Sequence, residues 1–160
     1  MIRRVAEMGW KPDLFIVPTS ATSITTILGP AGLDNATGLI SASYQKNIFD
    51  PQWVDSPDVK EYLAFMKQYM SSADVRDATY TASYVTTTLL VKVLRACGDD
   101  LSRANIMKQA TSLKNVELPL LLPGVTVTTG PDDYQPFQQL RLLRFDGKSW
   151  VGFGELLDDQ

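Results

Sequence analysis

Five small residues in a row, Thr19-Ser20-Ala21-Thr22-Ser23, are the part of this sequence best suited to holding a ligand, and four of them carry a hydroxyl group. They follow the apolar run Leu14-Phe15-Ile16-Val17-Pro18. Short hydroxyl side chains and the amides of a turn can hydrogen-bond carboxylate or phosphate oxygens. In open α/β sheets, ligands sit beyond the carboxyl ends of strands, where such turns and helix N-termini offer donors. The same residues have a structural use, because Thr22 or Ser23 can cap a following helix. The turn lacks the glycines of a phosphate-binding loop or a dinucleotide fingerprint, which argues against a nucleotide. Tyr44 closes a second expected strand, where an aromatic ring can stack on a bound molecule. Phe49 and Trp53, on the loop beyond it, are expected to plug the seam beneath that loop. Tyr80 and Tyr84, one helical turn apart, are expected in the core.

Catalysis finds little support. Histidine is absent, which removes the commonest general base near neutral pH and every Ser-His-Asp or Cys-His arrangement. Cys97 is the single cysteine and is expected to be a small buried hydrophobe. Asp99-Asp100 and Asp132-Asp133 fall in turns, and turn chemistry accounts for both pairs. No enzyme activity, metal or cofactor is expected. A net charge of −3 does not supply the basic footprint of a nucleic-acid binder. No apolar run approaches the roughly 20 residues of a membrane span. The start of the chain has two arginines without an apolar stretch behind them, so no secretory signal is expected there. At 160 residues and 44% apolar content the chain suits one domain with a sizeable core.

The elements that must position the turn are read from periodicity. Ile2, Val5 and Met8 recur at helical spacing and Gly9 ends that run. The uninterrupted apolar run 14–18 predicts a strand buried on both faces, as in a parallel sheet. A short helix is expected through Leu28, closed by Gly29-Pro30, then a strand over 37–44. Strand, helix and strand together have the size of a βαβ unit. Ser56-Pro57 starts a helix over 57–70, with Val59, Tyr62, Leu63, Met66 and Met70 on one face. Longer periodicity predicts a helix over 77–97 ending at Gly98, and Ser102 caps another over 103–113. Strands are expected at 125–129, 137–145 and 149–156, with Asp146-Gly147 turning the last two into a hairpin.

Several stretches read in order resemble a known family. They are the helix-GWKP-strand segment at 2–18, GPAGLDNATGLISASY at 29–44, the DPQW loop and CGDDLSRANIMKQATSL at 97–113. PLLLPGVTVTTGPDDYQP at 119–136 and LRLLRFDGKSWVGFGEL at 140–156 complete the series. Together they resemble the C-terminal part of the leucine-binding-like, type I periplasmic binding proteins of ABC importers. The implied fold is α/β and partial: a C-terminal lobe plus helices and hinge strands of the N-terminal lobe. On that resemblance, 1–70 belongs to the ligand-binding C-terminal lobe, 71–113 supplies helices that pack on the other lobe, and 114–160 carries the last hinge crossing and the terminal strands.

The resemblance also implies a function. The chain is expected to be a periplasmic solute-binding component, or a truncated fragment of one, that captures a small molecule in the cleft between lobes and works with ABC permease subunits. Relatives that bind α-amino acids pair the ligand's ammonium with an acid just after the strand matching 14–18. Here that place reads Pro18-Thr19-Ser20, and a buried ammonium without a counter-charge is costly. A small carboxylate without an amine, such as an aromatic or hydrophobic acid, fits better. Thr19, Ser20, Ala21 and Tyr44 are the candidate contacts. Exposed helix faces over 77–113 lead to the expectation of a homo-oligomer. The alternative function is a stand-alone oligomeric sensing or interaction module with no role in transport.

Overall fold

Ile2 anchors the first helix, α1 (Ile2–Glu7), and Gly9 turns the chain out of it at φ 64°. Met8, expected on the buried face, lies beyond the helix and is 64% exposed. A computed structural model describes residues 1–158 of the protein.

The run 14–18 does not form a regular strand. Ile16 bridges in parallel to Ile40; the Val17 amide donates to the Ile40 carbonyl and the Ile40 amide to that of Phe15, both at 2.9 Å. Only Val17 is buried, while Leu14 and Ile16 remain 58% and 60% exposed. The composition suited a strand covered on both faces, but among the described residues no layer covers the outer one. The parallel relation expected of a βαβ unit is nevertheless present.

The connection differs from a simple helix. Thr19–Ala21 coils as one tight turn. Ile24–Leu28 then forms a wide turn, in which the Leu28 amide donates to the Ser23 carbonyl at 3.0 Å. Gly29-Pro30 does not close the segment. Proline near the start of a helix forfeits an N–H that has no partner there anyway, so the pair opens α2 (Gly29–Ala31), and α3 (Leu33–Ala36) follows. The strand expected over 37–44 is shorter, β1 (Ile40–Ser43).

α4 (Pro57–Tyr69) and α5 (Ala78–Ala96) match their periodicity, and Asp77 caps α5 by accepting from the Thr79 amide. Cys97, at the end of α5, is buried. α6 (Arg103–Ala110) stops before 113. There the Thr111 and Ser112 hydroxyls donate to the Met107 and Lys108 carbonyls, a competition that such side chains favour near helix ends. The run 125–129 is irregular as well: Val127 bridges singly to Val116 and to Phe137. Pro123-Gly124 forms a turn closed by the Val125 amide on the Leu122 carbonyl at 3.0 Å, with Gly124 at φ 87°. A proline followed by a left-handed residue suits a type II turn.

β2 (Gln139–Phe145) and β3 (Trp150–Asp158) make the expected hairpin. Its turn is tied by Asp146, which accepts from the Lys148 and Ser149 amides at 2.8 and 2.7 Å. The sheet runs β1-β2-β3, antiparallel throughout, and the Ile16 bridge lies on the outer edge of β1. Buried side chains form two clusters. Ile2, Val17, Leu28, Leu39, Phe145 and Trp150 belong to one, and Val59, Tyr62, Met66, Val85, Leu120 and Val127 to the other. α4 and α5 therefore share a core that is separate from the one beneath the sheet.

Candidate functional site

Between the two clusters lies a cleft of about 1000 Å³. One wall is the hydroxyl turn, and the segment 43–53 and the first turn of α5 form others. The sheet contributes Arg141, Leu143 and Gly152.

The turn is held from several sides. Thr19 donates through its hydroxyl to the Ala42 carbonyl at 3.2 Å, and Thr22 to the Thr19 carbonyl at 2.8 Å. The Trp150 indole donates to the Thr22 carbonyl at 2.8 Å, fastening the turn to the hairpin from 128 residues away in sequence. Ser23 acts as a cap, its oxygen accepting from the Thr26 amide at 3.3 Å. The structural and ligand-holding uses of the turn are thus divided among its residues. Thr19 and Ser20 line the cleft, whereas Ala21 packs against the core cluster of Val17 and Leu28.

Tyr44 also lines the cleft. Its ring stacks on Phe137 with centroids 4.1 Å apart and planes 10° off parallel, and partial burial raises its phenol above the ordinary range. The neighbouring backbone is clamped to the segment around 120–122. The Leu122 amide donates to the Tyr44 carbonyl at 3.0 Å, and the Lys46 amide to the Leu120 carbonyl at 2.8 Å. Lys46 then pairs with Asp58 at 2.7 Å and lies 5.2 Å from the Trp53 ring centroid. Partial burial pushes the Asp58 carboxyl upward, but hydrogen bonds from Lys46 and the Leu120 amide outweigh it and hold the group at about 2. Trp53 packs on the core as expected. Phe49 does not: it is 51% exposed and lines the cleft, because Ile48, its neighbour, fills the buried place instead.

Charged side chains of both signs surround the cleft. Lys46, Arg76, Arg141 and Lys148 line it, against Asp50 and Asp77. Both carboxylates already accept backbone amides, from Gln52 at 2.8 Å and Thr79 at 2.9 Å. Lys46 and Arg76 have carboxylate partners in Asp58 and Asp74, but among the described residues neither Arg141 nor Lys148 has one. Arg141 and Gln45 escaped the sequence analysis. The available signal was an arginine among the leucines of β2, whose cleft-ward position depends on pairings too distant to read from spacing.

Comparison with solved structures places the fold. A possible leucine/isoleucine/valine-binding protein from Rhodopirellula baltica is similar at 20% identity and a TM-score of 0.75, over 96% of this chain and 38% of that one. A branched-chain amino acid ABC transporter protein from Thermus thermophilus, solved with valine, matches at 15% identity and a TM-score of 0.78, over 99% of this chain and 42% of that one. The leucine-binding protein LivK from Thermotoga maritima matches at 12% identity and a TM-score of 0.63, over 99% and 41%. The chain thus has the type I periplasmic-binding-protein fold in part, spanning about two fifths of the length of these structures. No curated protein matches it in sequence. The periplasmic binding protein family model matches residues 1–149, nearly the whole chain, and the protein belongs to that family.

Proposed function

We propose that this chain is the solute-binding component of an ABC importer, or part of one, and that its cleft takes a small organic acid without an amino group. The observation that carries this is a pair of cationic side chains in the cleft, Arg141 and Lys148, that no carboxylate partners among the described residues. Both acids there are engaged by backbone amides. A carboxylate is favoured in such surroundings and a buried ammonium is not. Thr19 and Ser20 supply hydroxyl groups, and Tyr44 and Phe49 supply aromatic surface for a ring or an alkyl chain. The two core clusters flanking the cleft would stand for the two lobes, which moves the dividing line from residue 70 to the mid-forties. Family membership supports delivery to a permease from the periplasm.

Isothermal titration of the full chain tests the reading. Benzoate is expected to bind with measurable heat, and L-leucine to bind far more weakly. Tight leucine binding with no response to benzoate would overturn the proposal.

A further inference from the structure

Arg141 stands out because the structure arranges three separate features around it. It lies on β2 directly opposite Ser43 of β1, on the sheet face that floors the cleft. The hairpin register slips at this place: Leu142 pairs with Phe153, but Arg141 pairs with Leu156. The intervening Gly154 takes up a left-handed φ of 68°. Bulges of this kind re-aim a side chain, and they concentrate beside functional sites. Across the hairpin, Gly152 leaves bare backbone beneath the guanidinium. A Cβ there would stand 3.2 Å from the arginine Nε and 3.3 Å from its Cζ.

The donors so arranged have nothing to donate to. The Arg141 Nε is buried without a hydrogen-bond partner among the described residues. The side-chain nitrogen of Gln45, in the same cleft, is in the same condition. A buried donor left unpaired is costly, and more so when it is charged. Both residues line one cleft, and the Arg141 guanidinium has no carboxylate partner among the described residues, which points to an acceptor that arrives from outside. A carboxylate matches a guanidinium because its two oxygens accept the parallel N–H bonds of the fork.

We infer that Arg141, laid over Gly152, is the residue that anchors the carboxylate of the bound acid, with the Gln45 amide as a second donor. The inference rests on the acid-binding reading above and adds the residue that confers it.

Titration of the protein and its Arg141→Gln variant with sodium benzoate, and with benzamide as a neutral ligand of the same shape, tests it. Arg141→Gln is expected to weaken benzoate binding by about tenfold or more and to leave benzamide binding nearly unchanged. Arg141→Lys, which keeps the charge but loses the fork, should fall between. Equal benzoate affinity in the wild type and Arg141→Gln overturns the assignment of Arg141 and leaves the acid-binding reading standing. A wild type that binds no acid overturns both. Should Arg141→Gln fail to fold, the NMR resonance of the Arg141 Nε–H in the wild type decides. It should move on addition of benzoate and not of sodium chloride, and an unmoved resonance under saturating benzoate overturns the inference.

Discussion

The Asp58 carboxylate, in the first turn of α4, holds two parts of the molecule at once. It pairs with Lys46 on the segment leaving β1, and it accepts from the amide of Leu120, just before the Pro123-Gly124 turn. Leu120 is fully buried and sits at φ 63°, a conformation that side-chain-bearing residues adopt at a cost. The Asp58 bond helps hold it there. Asp58→Asn keeps the shape but removes the charge, leaving Lys46 with only 13% of its side chain exposed and no counter-ion. The substitution is expected to lower stability by about 1–3 kcal/mol in denaturant titration. The wild type should also show the pH signature of this group. Its folded value is depressed to about 2, so its contribution is complete above the ordinary carboxylate range and fades as pH falls toward 2. Comparing wild-type and Asp58→Asn stability between pH 6 and about 2 should show the gap closing on acidification. A gap constant with pH would mean that the charge of Asp58 is not what stabilises this corner.

At the scale of elements, the site depends on the β2–β3 hairpin reaching back to the turn at 19–23. Trp150 makes that connection, with its ring 5.4 Å from Phe145 in the core and its indole N–H on the Thr22 carbonyl. Trp150→Phe keeps most of the apolar contact but removes the donor. It is expected to cost about 1–2 kcal/mol of stability and to weaken benzoate binding several-fold, because Thr19 and Ser20 lose their fixed place. Unchanged binding in a stably folded variant would separate the hairpin from the site. The sequence made the helices plain: Ser56-Pro57 and the spacing of Val59, Tyr62 and Met66 mark α4 without reference to anything distant. It was less informative about 14–18 and 125–129, where apolar content promised strands. Whether such a run becomes a strand depends on which neighbours pair with it, and here each found only isolated bridges. The hydroxyl turn was recognisable from its composition. Arg141 was not, since its setting comes from a slipped register and a glycine on the opposite strand.

At the scale of the molecule, two core clusters flank one cleft, and the hydroxyl turn, Tyr44 and Arg141 come to it from segments spread over more than 120 residues of sequence. This partition explains how a chain spanning about two fifths of its structural relatives can still present converging walls. Lobe closure on a ligand in the relatives' fold shifts a balance between open and closed forms. In the proposed reading, the acid lies between the hydroxyl turn and the sheet face on one side and Tyr44 and Phe49 on the other. The most direct measurement is an amide-resolved NMR titration of the wild-type chain with benzoate. Saturable shifts are expected to concentrate at Thr19, Ser20, Tyr44, Gln45 and Arg141. Shifts confined to other surfaces, or none at saturating acid, would contradict the proposed reading.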